Sequence, residues 1–254
     1  MFELTGKIAI VTGGGSGIGK AVSLLFGKQG AHVHVLDRDE EGGNKTVSEI
    51  TEGNKKAFMH ACDVTKQEQV RNIFNDIGKV DILVNSAGVS HVGNIENTTE
   101  ADFDRLYNVN VKGVYNCLQP AVSIMKKHKK GVILNLSSIA NNIGLADRFA
   151  YSMTKGAVYA MTLSVARDYI HEGIRCNCIS PARVHTPFVD DFIKKNYPGK
   201  ESEMFEKLSK SQPIGRMATP AEIASLILFL CSEESSFITG CDYPIDGGFI
   251  KLNT

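Results

Sequence analysis

Two polar side chains four residues apart, Tyr151 and Lys155, have the clearest potential for proton transfer in this sequence. They lie at the start of a segment with helical periodicity, so both project from one face of a helix. A phenol ionises near pH ~10, and a neighbouring ammonium group favours the phenolate and lowers the phenol pKa. The pair can therefore accept a proton from an alcohol. Taken alone, the spacing equally describes a surface tyrosine beside a solvated lysine.

Further polar residues adjoin apolar segments that resemble strands and helices. Ser137 and Ser138 follow the apolar run 132–136, and a hydroxyl at the carboxyl end of a strand can orient a substrate carbonyl. Asn110 lies within a helical stretch, where asparagine is unfavourable unless its side chain bonds backbone or water. It is a candidate for holding a relay water, and a helix kink is the alternative.

A glycine-rich turn, residues 12–19, joins the first predicted strand to the first predicted helix. Glycines let the main chain approach a phosphate, and the helix N-terminus directs free N–H groups and partial positive charge toward it. In this position a pyrophosphate site is favoured over an ordinary turn. The candidate phosphate-binding residues are Gly13, Ser16, Gly17, Ile18 and Gly19.

The end of the second predicted strand carries the acidic residue Asp37. A carboxylate here accepts hydrogen bonds from the adenosine ribose hydroxyls and repels a 2′-phosphate, which favours NAD over NADP. The neighbouring Arg38 has two possible roles, stacking on adenine or pairing with a 2′-phosphate. A helix cap for the segment starting at Asp39 is the alternative for Asp37.

The elements that position these residues alternate between strands and helices. Several strand-like runs are apolar throughout, as in parallel strands covered by helices on both faces. We expect one α/β domain spanning residues 1–254, with a doubly wound, Rossmann-type parallel sheet of seven strands. The predicted strands are 7–12, 32–36, 56–61, 80–84, 132–136, 174–179 and 242–245.

Helix boundaries follow from capping residues and periodicity. A first helix over 17–29 ends before Gly30, a second begins at Asp39, and Thr65 with Glu68 has the capping-box spacing for a third. The segment 187–213 is polar and lysine-rich. We expect a small helical insert there, either a lid over substrate or a solvated surface excursion.

Composition narrows the possible partners. The chain has 28 basic and 28 acidic residues, so nucleic acid and membrane surfaces are disfavoured and a small molecule is favoured. Residues 1–7 lack a signal-peptide pattern, and no apolar run reaches membrane-spanning length. The cysteines lack CxxC spacing, which predicts buried free thiols, no metal site and a cytoplasmic location.

Together the motifs resemble the short-chain dehydrogenase/reductase family along essentially the whole chain. TGxxxGxG is present as residues 12–19, NxAG as residues 85–88 and YxxxK as residues 151–155. The resemblance implies that Asn110, Ser138, Tyr151 and Lys155 form a catalytic tetrad. Tyr151 would be the general acid/base, and Lys155 would hold the nicotinamide ribose and lower the tyrosine pKa. Ser138 would bond the reacting oxygen, and Asn110 would anchor a relay water.

The resemblance also implies a NAD site, a homotetramer and a C-terminal family signature at residues 245–248. Two positions depart from the usual pattern: Ser86 stands for an asparagine, and Ala182 for the glycine that follows the proline. Besides the glycine turn, Asp37, Arg38, Tyr151 and Lys155, the implied cofactor-binding residues are Asp63, Val64, Asn85, Ala87, Gly88, Pro181, Val184 and Thr186.

Basic and titratable residues occur where substrate is expected: Arg148, His91, Arg183 and His185. A guanidinium matches a carboxylate with two parallel donors, so these residues favour a carboxylate-bearing substrate such as a hydroxy acid or a deoxy sugar acid. The chain is similar here to the cytosolic 3-hydroxybutyrate dehydrogenase-like branch and to sugar-acid dehydrogenases. The alternative for Arg148 is a structural ion pair with Asp147 or a neighbouring chain.

Two other functions remain open for this sequence. One is a dinucleotide-binding sensor or scaffold that keeps the fold without catalysis. The other is a reductase of an uncharged ketone or sugar that uses NADP. An intact tetrad argues against the first, and Asp37 against the second.

Overall fold

The central strands bury apolar side chains on both of their faces. In the first strand Ala9 and Val11 pack into one core cluster while Ile10 packs into the other, and the next strand of the sheet repeats this with Val84 and Leu83. Because side chains alternate along a strand, a strand covered on both sides requires an uninterrupted apolar run. The computed structural model describes residues 1–252, apart from the side chains of residues 188 and 196.

The strands form one seven-stranded parallel sheet in the order 3-2-1-4-5-6-7, so the predicted doubly wound α/β fold is confirmed. The order reverses between the first and fourth strands, which opens a crevice at their carboxyl ends. The strands are β1 (Ile8–Thr12), β2 (His32–Asp37), β3 (Ala57–Ala61), β4 (Ile82–Asn85), β5 (Gly131–Leu136), β6 (Ile174–Pro181) and β7 (Asp242–Ile245).

Helices cover both faces of this sheet. The helices are α1 (Gly17–Lys28), α2 (Glu40–Glu52), α3 (Gln67–Ile77), α4 (Glu100–Leu106), α5 (Gly113–His128), α6 (Phe149–Asp168), α7 (Pro187–Asn196), α8 (Glu201–Lys210), α9 (Pro220–Cys231) and α10 (Phe249–Leu252). One layer contains α1, α2 and α9, and the opposite layer contains α3, α5 and α6. The polar segment 187–213 contains α7 and α8.

The start of α3 differs from the sequence prediction. The cap position is Lys66, and the Thr65 hydroxyl instead donates to the Asp63 carboxylate at 2.8 Å. The hydroxyl is directed toward Asp63 and not toward the first N–H groups of α3, so the capping-box spacing of Thr65 and Glu68 does not produce a cap here. Asp39 caps α2 with its side chain, and Asp37 is therefore not the cap of that helix.

The cysteines agree with the predicted free thiols: all are unpaired, and only Cys241 is partly exposed. Burial raises the pKa of Cys62 to about 12, so this thiol is held in its unreactive protonated form. Among residues 1–252, no helix combines the length and hydrophobicity needed to span a bilayer.

A histidine pair on β2 and β3 makes stability depend on pH. His34 Nδ1 lies 2.9 Å from His60 Nε2, and His34 stacks on Phe58. Burial, followed by the charges of His60 and His32, lowers the pKa of His34 from 6.5 to about 4. The unfolded chain therefore binds more protons below pH 6.5, and stability is lost as the pH falls from 6.5 toward 4.

We expect His34→Phe to lose roughly 1–2 kcal/mol less of its free energy of unfolding than the wild type does when the pH falls. This figure includes a reduction for the partial exposure of the ring. Urea unfolding of the wild type and the variant at pH 7 and pH 4.5 measures the difference. The exposed His128 provides the control, since His128→Gln should leave the pH dependence unchanged. Parallel pH profiles for wild type and His34→Phe would contradict the prediction.

Candidate active site

Tyr151 and Lys155 lie one turn apart in α6, where this helix crosses the carboxyl end of β5. Lys155 is 7% exposed, and its Nζ donates to the main-chain oxygen of Leu136, the last residue of β5, at 2.8 Å. The same Nζ lies 5.7 Å from the centre of the Tyr151 ring. A buried ammonium held by the sheet is thus placed beside a phenol, which excludes the alternative of a solvated helical pair.

Ser138 follows β5 and begins a short 3₁₀ turn, Ile139–Asn141. Its hydroxyl accepts a hydrogen bond from the Ala140 N–H at 3.2 Å, and the residue is 8% exposed. Helix α6 packs against this turn. Ser138 and Tyr151 are therefore presented by two elements in direct contact.

Asn110 lies in a π-helical segment, Tyr107–Lys112, between α4 and α5. Its Oδ1 accepts from the Val89 N–H at 2.8 Å, while its Nδ2 donates to the Val89 carbonyl at 2.8 Å and to Thr154 Oγ1 at 3.1 Å. The side chain therefore ties the segment after β4 to α6. Both amide hydrogens of Asn110 are already donated. The predicted relay water would therefore have to donate a hydrogen bond to an oxygen of Asn110.

Gly88 explains how Asn110 and Lys155 come close together. A Cβ atom at this glycine would lie 3.4 Å from Asn110 Oδ1 and 3.8 Å from Lys155 Nζ. A larger side chain would fill the space between the two polar groups. The glycine of NxAG thus leaves the space between the Asn110 and Lys155 side chains unfilled.

The glycine turn forms a cradle that side chains would close. A Cβ at Gly13 would lie 2.9 Å from Ala87 Cα, and one at Gly19 would overlap the carbonyl of Gly13. Gly13 and Gly17 have φ of 68° and 52°, which favours glycine. Ser16 precedes α1 without capping it by its side chain, so the first N–H groups of this helix remain available to an anion.

Thr12, which we did not predict as a site residue, joins this turn to the NxAG segment. Its Oγ1 accepts from the N–H groups of Ser86 and Ala87, both at 3.1 Å. Asn85 donates to Asn135 on β5 at 2.8 Å in the buried interior. Thr12 and Asn135 can both be noticed in the sequence, because Thr12 is a polar residue at the end of β1 and Asn135 is a polar residue within the apolar strand β5. Buried polar groups of this kind require hydrogen-bond partners.

Asp37 stands directly above the glycine turn. Its Oδ2 accepts from the Gly15 N–H at 2.8 Å and its Oδ1 from the Asp39 N–H at 3.0 Å, while Arg38 is exposed. At the adjacent strand end, Asp63 accepts from the N–H and hydroxyl of Thr65. These carboxylates border the place where the adenosine half of a dinucleotide would lie.

Val64 and the loop after β6 complete the crevice. Val64 is buried in the core cluster beside α5, and its carbonyl accepts from Asn116 at 2.8 Å. Pro181 ends β6, and Val184 is buried. Thr186 lies against the glycine turn, 3.4 Å from where a Cβ of Gly17 would be. The crevice geometry therefore fits a dinucleotide, with Thr186 facing the start of α1.

Arg148 is fixed by the segment that follows NxAG. Its NH1 donates to Ser90 Oγ and to the His91 carbonyl, both at 3.1 Å. No ion pair links it to Asp147 or to any other carboxylate in the described part of the chain. Burial lowers the pKa of Arg148. The Asp147 half of the predicted alternative is therefore wrong, and the half that names a neighbouring chain stays a prediction. Ser90 is a contact of Arg148 that the sequence pattern did not reveal.

Arg183 is held from the other side of the crevice. Its Nε donates to Ser211 Oγ and its N–H to Gln212 Oε1, both at 2.9 Å. Burial, followed by the nearby Arg148 guanidinium, lowers the pKa of Arg183, whereas Tyr197 raises it. Two partly buried guanidinium groups thus lie close enough to repel one another.

The two predicted histidines each contact a carboxylate. His91 Nδ1 lies 3.5 Å from an Asp102 carboxylate oxygen. His185 Nε2 lies 2.8 Å from Asp190, and its exposed ring packs edge-on against Phe205. His91 contributes its carbonyl to the arginine site, whereas the His185 side chain is engaged by α7 and α8.

Comparison with known proteins shows to which family the chain belongs. A family model described as enoyl-(acyl carrier protein) reductase matches residues 13–250. Dehydrogenase/reductase SDR family member 6 of Xenopus laevis is 40% identical over 250 residues, which cover 98% of this chain and 99% of that protein. The chain belongs to the short-chain dehydrogenase/reductase family. The protein is therefore an oxidoreductase of a family that binds nicotinamide dinucleotides.

Solved structures of family members share the whole fold but differ in cofactor. The structure titled ElxO with NADP bound is 32% identical with a TM-score of 0.89, covering 98% of this chain and 100% of that one. NAD⁺-bound xylitol dehydrogenase is 31% identical with a TM-score of 0.88, covering 96% and 99%. Structures with this fold therefore include both NADP-bound and NAD⁺-bound proteins.

Proposed function

We propose that the protein transfers a hydride between NAD(H) and the secondary alcohol or ketone of a hydroxy acid, including deoxy sugar acids. The proposed substrate class rests on the position and surroundings of Arg148. This guanidinium lies three residues before Tyr151, is fixed through NH1, and forms no ion pair with a carboxylate of the described residues, although the charge of Asp147 acts on it. A partly buried cation without an ion pair is stabilised by an anionic ligand.

The proton chemistry is assigned to the tetrad. Tyr151 acts as general acid/base on the substrate oxygen, and the neighbouring Lys155 ammonium stabilises the phenolate. Ser138 hydrogen-bonds the reacting oxygen, and an oxygen of Asn110 anchors a water that connects the site to solvent. The bound dinucleotide supplies the redox chemistry by accepting or giving the hydride.

The dinucleotide is assigned to the crevice between β1 and β4. The pyrophosphate would lie against Gly13 and the Ser16–Gly19 start of α1, and the ribose hydroxyls would donate to Asp37. Asp63 and Val64 would border adenine, with Arg38 stacking beside it. The remaining assigned cofactor residues are Asn85, Ala87, Gly88, Tyr151, Lys155, Pro181, Val184 and Thr186.

The free edge of Arg148 defines how the carboxylate binds. NH1 is occupied by Ser90 and His91, so the Nε and NH2 edge remains for two parallel hydrogen bonds to a carboxylate. Arg183 adds a second positive charge, and the anion offsets the repulsion between the two guanidinium groups. Within the family, we assign this chain to the branch of cytosolic 3-hydroxybutyrate dehydrogenase-like and sugar-acid dehydrogenases.

Replacing Arg148 with methionine tests this assignment. We expect kcat/KM for 3-hydroxybutyrate and related hydroxy acids to fall roughly 10- to 100-fold, mainly through KM, because a charged hydrogen-bond pair is lost. Uncharged alcohols such as 2-butanol should change by less than about threefold. Steady-state assays with NAD across both substrate classes measure the split.

The exposed Arg71 on α3 supplies a matched control. Arg71→Met removes the same charge far from the crevice and should leave both substrate classes unaffected. Equal losses for hydroxy acids and uncharged alcohols in Arg148→Met would reject the carboxylate assignment, while the proton chemistry would stand. A wild type that reduces only uncharged ketones with NADPH would favour the alternative reductase.

We also propose a cytoplasmic homotetramer in which segment 187–213 closes over substrate. Support for assembly comes from exposed apolar side chains on α5 and α6, and support for the location comes from the buried free thiols. The exposed side chains concerned are Tyr115, Phe149 and Leu163. Sedimentation at micromolar protein measures the assembly state.

A further inference from the structure

A partly buried carboxylate on β7, that of Asp242, collects hydrogen bonds from four side chains. Its Oδ1 accepts from Ser180 Oγ at 2.6 Å and from Cys178 Sγ at 3.4 Å, and its Oδ2 accepts from Asn142 Nδ2 at 2.9 Å and from Asn141 Nδ2 at 3.3 Å. No lysine, arginine or histidine of the described residues forms an ion pair with it. Neutral donors alone satisfy this charge.

These donors come from two different elements. Cys178 and Ser180 belong to β6, and Cys178 is the register partner of Asp242. Asn141 and Asn142 belong to the turn that follows Ser138. The carboxylate therefore fastens the turn to the first residue of β7, at the point where β7 begins to pair with β6.

Asn141 extends the network to the catalytic side chains. Its Nδ2 also donates to Ser137 Oγ at 2.9 Å, and Ser137 Oγ donates in turn to the main-chain oxygen of Lys155 at 3.1 Å. The Asn141 N–H donates to the Ser138 carbonyl at 3.0 Å. The route from Asp242 thus reaches Ser137, the residue next to Ser138, and the turn of α6 that carries Lys155.

The surroundings of the turn show why this fastening matters. The Asn141 Oδ1 is buried without a hydrogen-bond partner, and residues 142–149 are exposed or only partly buried. The Asn141 amide is therefore held through its donors alone, to Ser137 and Asp242. Displacement of a reacting group by about 1 Å costs on the order of 10²-fold in rate, so a small shift of this turn matters for catalysis.

We propose that Asp242 is a positioning residue that acts through Asn141 to hold the Ser138 hydroxyl at the reacting oxygen. The proposal rests on the role assigned to Ser138 in the proposed function. Asp242 itself touches neither substrate nor cofactor. Its effect is confined to the geometry of the turn relative to α6.

Asp242→Asn tests the proposal, because it removes the charge of the side chain with little change in its shape. The amide keeps one acceptor oxygen and replaces the other with an NH2 group. Facing Asn141 and Asn142, this group opposes two amide donors and both contacts are lost; facing Ser180, it requires the hydroxyl to accept instead of donate. We expect kcat for the best hydroxy acid of the panel to fall about 10-fold, with KM for NAD changed by less than about twofold. NAD titration and thermal unfolding of the full chain establish that the variant is folded.

The deciding measurement is a double-mutant cycle with Ser138→Ala. If Asp242 acts through Ser138, Asp242→Asn should lower kcat by less than about twofold once Ser138 is alanine. A purely structural role would give the same fold-change in both backgrounds and would overturn the proposal. Asn141→Ala should reproduce the loss even if Asp242→Asn folds poorly.

Asn142→Ala is the matched control, because Asn142 bonds the same carboxylate but not Ser137. Its effect on kcat should be clearly smaller than that of Asn141→Ala, and an equal effect would contradict the route through Asn141. Full activity of Ser138→Ala alone would refute both the role of Ser138 and the positioning proposal. An inactive Ser138→Ala together with a fully active Asp242→Asn would refute only the positioning proposal.

Discussion

Replacing Tyr151 with phenylalanine is expected to lower kcat on the order of 10³-fold while NAD still binds. The phenylalanine ring can occupy the same site beside Lys155, whose Nζ remains tied to Leu136 at 2.8 Å. What disappears is the hydroxyl that exchanges a proton with the substrate oxygen. Steady-state oxidation of a hydroxy acid by NAD, together with NAD titration, measures the two quantities separately.

Tyr159, two turns further along α6 and partly buried, provides the control for this substitution. Tyr159→Phe removes a hydroxyl from the same helix and should retain full activity. Normal turnover by Tyr151→Phe would refute the assigned proton chemistry. A wild type that binds NAD tightly but turns over no alcohol, sugar or hydroxy acid would instead favour the non-catalytic sensor.

The wild type is expected to prefer NAD over NADP by on the order of 100-fold in kcat/KM. Asp37 is held above the glycine turn by the N–H groups of Gly15 and Asp39, so its carboxylate cannot turn away without breaking both bonds. A 2′-phosphate would face this fixed negative charge, and opposed like charges cost several kcal/mol. Kinetics with the two cofactors under identical conditions measure the ratio.

Asp37→Ser should narrow that ratio to about 10-fold or less, because the repulsion is removed while a hydroxyl remains for the ribose. Asp39→Asn is the control, since asparagine also caps α2 beside the same strand end and the loss of this charge should leave cofactor choice unchanged. A preference of the wild type for NADP would overturn the assignment. In that case Arg38→Ala should abolish NADP use, because Arg38 would be the group that pairs with the phosphate.

Asp37, the residue that we expect to select NAD, shows what a local sequence pattern predicts and what the structure adds. Asp37 was identified by its place at a strand end, and the structure shows that its side chain also fixes the turn through Gly15. The second interaction joins residues 22 positions apart. A pattern in the sequence can place the carboxylate, but only packing of β2 beside β1 brings it over the glycines.

Other site residues were accessible only from the folded chain. Ser90 resembles any serine in a loop until Arg148, 58 residues away, is seen to donate to it. Asp242 is likewise one acidic residue of a short edge strand until the turn after Ser138 reaches it from 100 residues away. Such interactions depend on how the strands are ordered in the sheet, and that order is not a local property.

The sequence by itself determined the elements and the chemistry that each could carry. Continuous apolar runs required strands covered on both faces, glycines marked the phosphate turn, and the Tyr151 and Lys155 spacing placed both groups on one helical face. Tertiary structure alone decided which polar groups meet. It placed the N-cap of α3 at Lys66 and not at Thr65, brought His185 against Asp190, and left Arg148 without an ion pair among the described residues. The physical reason is that periodicity and capping act within a few residues, whereas a buried charge is satisfied by whichever donors or acceptors the whole fold brings beside it.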